Sequence, residues 1–375
     1  NSDGTMQTGW VKVGNNWYYM DGSGAMAANR WIGNYYVTGS GAMATNTWIG
    51  SYWVGADGKW VPGYGSSAGT TAGTGGAGWQ QVGNTWYYAD SNGNRVANRW
   101  LRIKGSWYYF ESNGAMVTGW KRINGYKYYF GANGNAVRGG QRINNVVYVF
   151  DEKGRLFEKK ENRIVKSGSN RYHISTKHGR ATIGYFIYKN NLYYADPKGR
   201  LYQNKSRQNG QLYFTSSGAA RKDYNALLKM RVMKIVASIT NSSMSQSQKL
   251  YACWKYVVYG GFYYGGPDPN LYQSGWARSE ALRMFSTGYG NCYGFSCIFA
   301  ALAREVGYTP YMVCGRVPGS RDGAADGFTR HCWVEINGLY YDPEAQYAGW
   351  MTGVYGYDYY PISHQIQRVV NFCTY

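Results

Sequence analysis

The chain is built on a repeat. One unit opens at Gly9-Trp10, passes through Trp17-Tyr18-Tyr19, turns at Asp21-Gly22-Ser23-Gly24 and closes at Ala25-Met26; its opening tryptophan returns at Trp31, Trp48, Trp79, Trp100 and Trp120. A period of roughly 20 residues with paired aromatics and Gly/Asn turns has room for one β-hairpin. A lone hairpin is marginal in water, so the hairpins must stack, each burying its aromatics against the next. That rules out a single globular core for this part of the chain and predicts an all-β solenoid of hairpin repeats. The 52 glycines, 40 tyrosines and 15 tryptophans, with only 16% charged residues, suit hairpins better than an aliphatic core.

The repeats form two blocks, 1–62 and 79–222, separated by a Gly/Ser/Thr-rich stretch over 63–78 with the composition of a flexible linker. Beyond Val137 the pattern degrades, keeping aromatic pairs at Tyr148-Val149-Phe150, Leu192-Tyr193-Tyr194 and Leu212-Tyr213-Phe214 while lysines and arginines fill the spaces. Residues 121–222 hold 21 Lys and Arg against 5 Asp and Glu, most of the formal charge of +20. Such a block attracts anionic polymers, and teichoic-acid phosphates, acidic glycans and nucleic acid are all electrostatically admissible.

Helical periodicity begins near Asp223, and a further domain is expected over 223–375. A helix is expected over Gln246–Tyr259 and another from Ser279-Glu280. Ser286-Thr287-Gly288-Tyr289-Gly290-Asn291 then delivers Cys292 to the next helix, whose apolar residues Phe295, Ile298, Phe299, Leu302 and Val306 keep helical spacing up to Gly307. A helix N-terminus stabilises a thiolate, the form in which cysteine is a nucleophile. Downstream, His331-Cys332-Trp333-Val334-Glu335-Ile336 and Leu339-Tyr340-Tyr341-Asp342 flank Asn337-Gly338, the strongest short signal for a two-residue hairpin turn. In that register Asp342 lies opposite Trp333 and diagonal to His331, on the same face. Cys292, His331 and Asp342 thus form a candidate nucleophile, base and orienter. Helices followed by antiparallel strands make an α+β layered domain with Cys292 on the helical side, an arrangement shared with papain-like enzymes.

All six cysteines lie in this last part, and a catalytic Cys292 would leave an odd five, which does not suit a disulfide framework. No paired C-x₂-C spacing supports zinc, so neither metal nor cofactor is expected. No run of about 18 apolar residues exists, so no membrane span is expected, and the chain reads as a secreted protein with its leader removed.

Two resemblances enter at these residues. Gly290-Asn291-Cys292-Tyr293-Gly294, Gly307-Tyr308-Thr309-Pro310, Met312-Val313-Cys314-Gly315, His331-Cys332-Trp333 and Tyr341-Asp342 resemble the core of the transglutaminase-like cysteine enzymes. The resemblance implies that Cys292 attacks an amide carbonyl, with His331 as base and Asp342 orienting it. It implies a peptide or protein substrate, with hydrolysis favoured over transamidation because 315–327 reads as a polar loop; an inert domain on an adhesin is the non-enzymatic alternative. Trp276 and Tyr264 are candidates for a second oxyanion donor beside the Cys292 N–H.

The repeats resemble the choline- and glucan-binding cell-wall repeats of Gram-positive bacteria. This implies a cell-wall location and a wall polymer as partner, teichoic-acid choline or glycan, rather than nucleic acid. It implies aromatic cages at Trp10 with Trp17, Trp79 with Trp86 and Trp100 with Trp107, each with an aromatic of the next hairpin, and ligand-binding roles for Trp31 and Trp120. The second unit is short, with Tyr35 after Trp31. Lys127 replaces the second tryptophan of the Trp120 unit, and Gln141 is expected in place of the next unit's first. A cation in the cage would repel choline, which confines choline to the earlier units.

Overall fold

The computed structural model describes residues 6–49, 52–61, 77–158, 161–176, 178–351 and 354–374. The chain divides into two compact units.

The first unit, Asn1–Thr182 with Lys198–Arg200, is a series of antiparallel hairpins. Gly9–Val13 pairs with Asn16–Met20, Gly78–Val82 with Thr85–Ala89, Arg99–Ile103 with Ser106–Phe110, Gly119–Ile123 with Tyr126–Phe130, and Gly139–Ile143 with Val146–Phe150. Some tight turns have both central residues in the left-handed region, as at Asn124 (φ 48°) and Gly125 (φ 82°), and others only the first, as at Gly14 (φ 60°) and Gly83 (φ 59°), the two geometries whose twist matches the strands. An aspartate shapes the turn after several hairpins: Asp90 Oδ1 accepts from the backbone N–H of Asn92 and Asn94, each at 2.9 Å. Successive hairpins are joined by main-chain hydrogen bonds, Met116 N to Trp86 O and Ala136 N to Trp107 O, both 2.7 Å, and Leu156 N to Lys127 O at 2.8 Å. Aromatics fill the interior, with Phe110, Phe130 and Phe150 fully buried. The expected linker lies outside the described residues as far as 76, and Gly78 already opens a strand.

The register corrects one expectation. Gly140 pairs with Val149 as Trp120 pairs with Tyr129, so Gly140, and not Gln141, stands where the tryptophan would be. A side chain there would strike the Lys198 carbonyl oxygen and come within 2.8 Å of the Tyr172 ring. Backbone and a tyrosine occupy the volume that an indole fills one unit earlier.

The second unit comprises Ile183–Pro197 and Leu201–Tyr375. It takes in two hairpins upstream of Asp223, Gly184–Tyr188 with Asn191–Ala195 and Lys205–Arg207 with Leu212–Phe214. These bury Leu192, Leu212 and Phe214 against Ala226 and Met230 of helix α1 (Tyr224–Ile239). Helix α2 (Gln246–Tyr259) starts with a reciprocal Ser245/Gln248 capping box. Helix α3 (Trp276–Thr287) begins ahead of the expected Ser279, after Gly275 (φ 76°). Helix α4 (Cys292–Glu305) is buried along almost its whole length and lies against a five-stranded antiparallel sheet. The strand order is Tyr355–Tyr357, Leu339–Tyr341, Phe328–Ile336, Tyr311–Pro318, Gln365–Asn371. Ser296 Oγ donates to Cys332 O at 2.8 Å, fixing α4 on the central strand. Gly290 and Gly294 let α3 approach α4 closely: a Cβ on Gly294 would lie 2.8 Å from Met284 Sδ, and one on Gly290 would collide with the same sulfur.

Candidate active site

Cys292 is the first residue of α4. Its N-cap, Asn291, accepts from Tyr293 N at 3.1 Å and donates through Nδ2 to Asp268 at 2.6 Å, so both polar ends of the cap are engaged. The thiol is fully buried. His331 comes from the adjacent sheet, and the hairpin carrying it has the expected register, Val334↔Tyr341 through Ile336↔Leu339, with Asn337 (φ 53°) and Gly338 (φ 76°) as the turn. Asp342 ends that hairpin and caps a short helix α5 (Pro343–Ala348).

The Asp342 carboxylate has no exposure and three donors. His331 Nε2 lies 2.6 Å from Oδ2, the Tyr360 hydroxyl donates to Oδ2 at 2.6 Å, and Ala345 N donates to Oδ1 at 3.0 Å. Cys292 interacts with the same imidazole. Since Nε2 is committed to Asp342, the nitrogen available to the sulfur is Nδ1. Burial pulls the His331 pKa down, but Asp342 and the Cys292 sulfur outweigh it and hold the imidazolium well above the ordinary histidine range. Glu344 Oε2 lies 3.7 Å from Nδ1, is buried, receives Trp350 Nε1 at 3.3 Å and is pushed up by desolvation. Burial, the Asp342 carboxylate and its hydrogen bond also push Tyr360 far up, so it acts as a donor only.

Arg321, from the loop between the two longest strands, reaches over the thiol. Its Nη1 lies 4.0 Å from Cys292 Sγ and contacts the Tyr264 hydroxyl, and its Nη2 contacts Arg330 O. The loop is laced with charge: Arg316 pairs with Asp326, and Asp322 accepts from Arg330 N at 2.7 Å and Arg330 Nε at 2.9 Å. Of the two candidate oxyanion donors, Tyr264 stands at the site through Arg321. Trp276 is buried edge-on to Tyr293 at 6.0 Å, and its indole N–H has no partner among the described residues.

Sequence reasoning missed Tyr360, Glu344, Trp350 and Arg321, since each reaches the site through a loop or helix end with no motif of its own. Among the described residues His331, Asp342 and Glu344 form the one group whose ligand atoms, within 4.8 Å of one another, could hold a metal ion; Asp342 is already engaged by its three donors. Burial pushes Cys253 up to about 12 and Cys297 well above the ordinary thiol range. Cys314 and Cys332 face each other across neighbouring strands with their thiols in hydrogen-bond contact at 3.8 Å and no disulfide between them.

The repeat aromatics form recurring trios. Trp79 meets Trp86 at 6.3 Å, nearly perpendicular, and Tyr108 of the next hairpin at 5.0 Å; Trp100 meets Trp107 at 6.5 Å and Tyr128 at 4.9 Å. Trp10 meets Tyr35 at 5.2 Å, with Trp17 exposed nearby on the partner strand, and Trp31 meets Tyr52 at 5.8 Å. The trio at Trp120 is altered. Trp120 meets Tyr148 at 5.0 Å, but Lys127 holds its ammonium 4.5 Å over the Trp120 ring. In the second unit Tyr185, Tyr194 and Tyr202 surround Arg207, whose guanidinium lies 3.7 Å over Tyr194.

Residues 233–352 match the transglutaminase-like superfamily. Residues 25–60 match one choline-binding repeat family, and residues 1–31, 77–118 and 117–160 match another. Solved structures similar to the chain include choline binding protein F from Streptococcus pneumoniae, at 20% identity over 58% of this chain and 93% of that one, with a TM-score of 0.29. The choline-binding domain of CbpL from the same species aligns at 25% identity over 58% and 98%, TM-score 0.24. Its modular autolysin LytC aligns at 21% identity over 54% and 50%, TM-score 0.20. No curated protein matches. No helix among the described residues is long and apolar enough to cross a membrane.

Proposed function

We propose that this chain, in which choline-binding repeats are joined to a transglutaminase-like core, is a cell-wall-anchored cysteine enzyme that hydrolyses amide bonds of peptides or proteins. The observation that carries the proposal is the buried series Cys292, His331, Asp342, with the imidazole lying between the sulfur and the carboxylate and its Nε2 2.6 Å from Asp342 Oδ2. Cys292 sulfur attacks the amide carbon; the carbonyl π electrons move to oxygen, and the Cys292 backbone N–H at the start of α4 is a donor for that oxyanion. His331 gives its Nδ1 proton to the departing amine as the C–N bond breaks, leaving a thioester on Cys292. Water, deprotonated by Nδ1, attacks the thioester, the carboxylic acid leaves and the thiol is restored. Asp342 holds the proton on Nε2, so that Nδ1 is free to accept and return it, and Tyr360 fixes Asp342.

Hydrolysis is favoured over transamidation because the rim beside Cys292 is ionic. Arg321, Asp322, Arg330 and the Arg316–Asp326 pair make a wet border, whereas protecting a thioester from water calls for an apolar one. The Trp79, Trp86, Tyr108 and Trp100, Trp107, Tyr128 trios would hold the quaternary ammonium of wall choline by cation–π attraction, and the basic residues of 121–222 would add a salt-sensitive grip on anionic polymer. Peptide libraries containing Gln and Lys, offered with a labelled primary amine, test the reaction. Cleavage without incorporation is expected; incorporation that outruns hydrolysis at millimolar amine makes the enzyme a transamidase, and neither product leaves a wall-bound adhesin.

A further inference from the structure

A cavity of about 80 Å³ lies in the second unit, at the end of α4 opposite Cys292. Arg278 of α3, Arg304 and Glu305 of α4, Asn225 and Lys229 of α1 and Gln211 of the last hairpin contribute to its lining. The charges do not cancel. Lys229 Nζ donates to Glu305 Oε2 at 2.5 Å, which accounts for one cation and the one acid. Arg278 is 5% exposed; its Nε donates to Asn225 Oδ1 at 2.8 Å, and its Nη1 is buried with no partner among the described residues. Arg304 Nη2 donates to Gln211 Oε1 at 3.3 Å, and burial, with the neighbouring Arg278 charge, lowers its pKa against the opposing pull of Cys373, Tyr185 and Glu305. Both guanidinium groups therefore rest on neutral amides and repel each other, leaving the lining with two uncompensated positive charges.

A buried cation without a counter-charge is costly, and water filling the cavity could hydrogen-bond Nη1 without neutralising it. Two guanidinium forks converging on one space match a tetrahedral oxyanion, and a surplus of two charges is matched by a dianion. We propose that this cavity binds a phosphate group, as inorganic phosphate or as the head of a small phosphate monoester. The volume admits the ion. The ligand would tie the last hairpin, through Gln211, to α1, α3 and α4, and so stabilise the unit that carries Cys292 without entering its chemistry. The site is independent of the proposed hydrolysis, and its test needs no activity.

The full chain is melted by calorimetry at pH 7 in potassium phosphate, glycerol phosphate, acetate or chloride at equal ionic strength, with hydrogen exchange followed on α3, α4 and the last hairpin. Phosphate at about a hundred times its Kd is expected to raise the Tm of the helical unit by about 5 °C and to protect those segments. Arg278→Gln and Arg304→Gln are each expected to abolish the shift. An equal shift with glycerol phosphate marks the ligand as a phosphate monoester, and a shift with inorganic phosphate alone marks it as the free ion; both uphold the site. A phosphate shift no larger than that of acetate or chloride overturns it, as does a shift that survives in both variants; the comparison of anions on the unaltered chain stands even if a variant misfolds.

Discussion

Asp342→Asn is the substitution with the sharpest expected consequence. The isosteric amide can keep its oxygen on Ala345 N, so the start of α5 survives. Its nitrogen, however, now faces His331 Nε2 and the Tyr360 hydroxyl, both 2.6 Å from the former Oδ2. Two donors cannot share that contact, so the imidazole must present a lone pair at Nε2 and carry its proton on Nδ1, the nitrogen that should accept from Cys292. Losing charge assistance on two hydrogen bonds is worth about 1.5 kcal/mol each, roughly 3 kcal/mol in all. With a further cost of about 1 kcal/mol for the reversed tautomer, kcat should fall roughly 100- to 1,000-fold with KM little changed. Without the carboxylate's support against burial, the His331 pKa should also drop from its raised value, the Cys292 sulfur alone still holding it up. Single-turnover cleavage of a fluorogenic peptide between pH 5 and pH 9, on protein whose circular dichroism matches the unaltered chain, measures both effects. Activity within threefold, or an unchanged pH profile, would refute the assigned role of Asp342.

Lys127→Trp should complete the cage at Trp120, and choline titration by calorimetry should gain one site, whereas Trp100→Ala should lose one; an unchanged count in Lys127→Trp would show that Lys127 does not block the cage. Gly140→Ala should destabilise the repeat unit by about 1–3 kcal/mol, because its Cβ meets the Lys198 carbonyl, and urea denaturation followed by tryptophan fluorescence would detect this. His331 also links stability to pH. Its pKa is raised in the fold, so its contribution is full below the unfolded value of about 6.5 and is lost as pH rises through the folded value; the urea midpoint of the helical unit should therefore fall from pH 6 towards alkaline pH, and less steeply in Asp342→Asn.

The sequence made the local geometry plain wherever one short-range rule dominates. Asn337-Gly338 dictates a two-residue turn, the turn dictates the register, and the register puts His331 and Asp342 on one face. Lys127 was recognisable as a cation in a cage because it stands in a strict repeat, seven residues from its tryptophan as in the intact units, and the structure puts its ammonium over that ring. Sequence spacing points to Gln141 rather than Gly140 because a glycine beside another glycine leaves no aromatic to set the frame; only the pairing with Val149 resolves it. Tyr360 and Arg321 were invisible for a different reason. They reach Asp342 and Cys292 across long sequence separations from irregular segments, where no periodicity connects a residue to its target. The two hairpins packed on α1 share that origin, since burial of Leu192 and Leu212 against Ala226 and Met230 is a tertiary choice that strand patterning does not encode.

The central claim is that Cys292 carries the acyl group. The full chain is mixed with excess peptide substrate, quenched in acid within milliseconds, and digested, and fragment spectra distinguish Cys292 from Cys297 on the same α4 peptide. The account predicts the substrate's acyl mass on Cys292 alone, disappearing with hydroxylamine, absent in Cys292→Ala, and formed more slowly in Asp342→Asn. Peptide cleavage that persists in Cys292→Ala, or an acyl group found on any other residue, would contradict it.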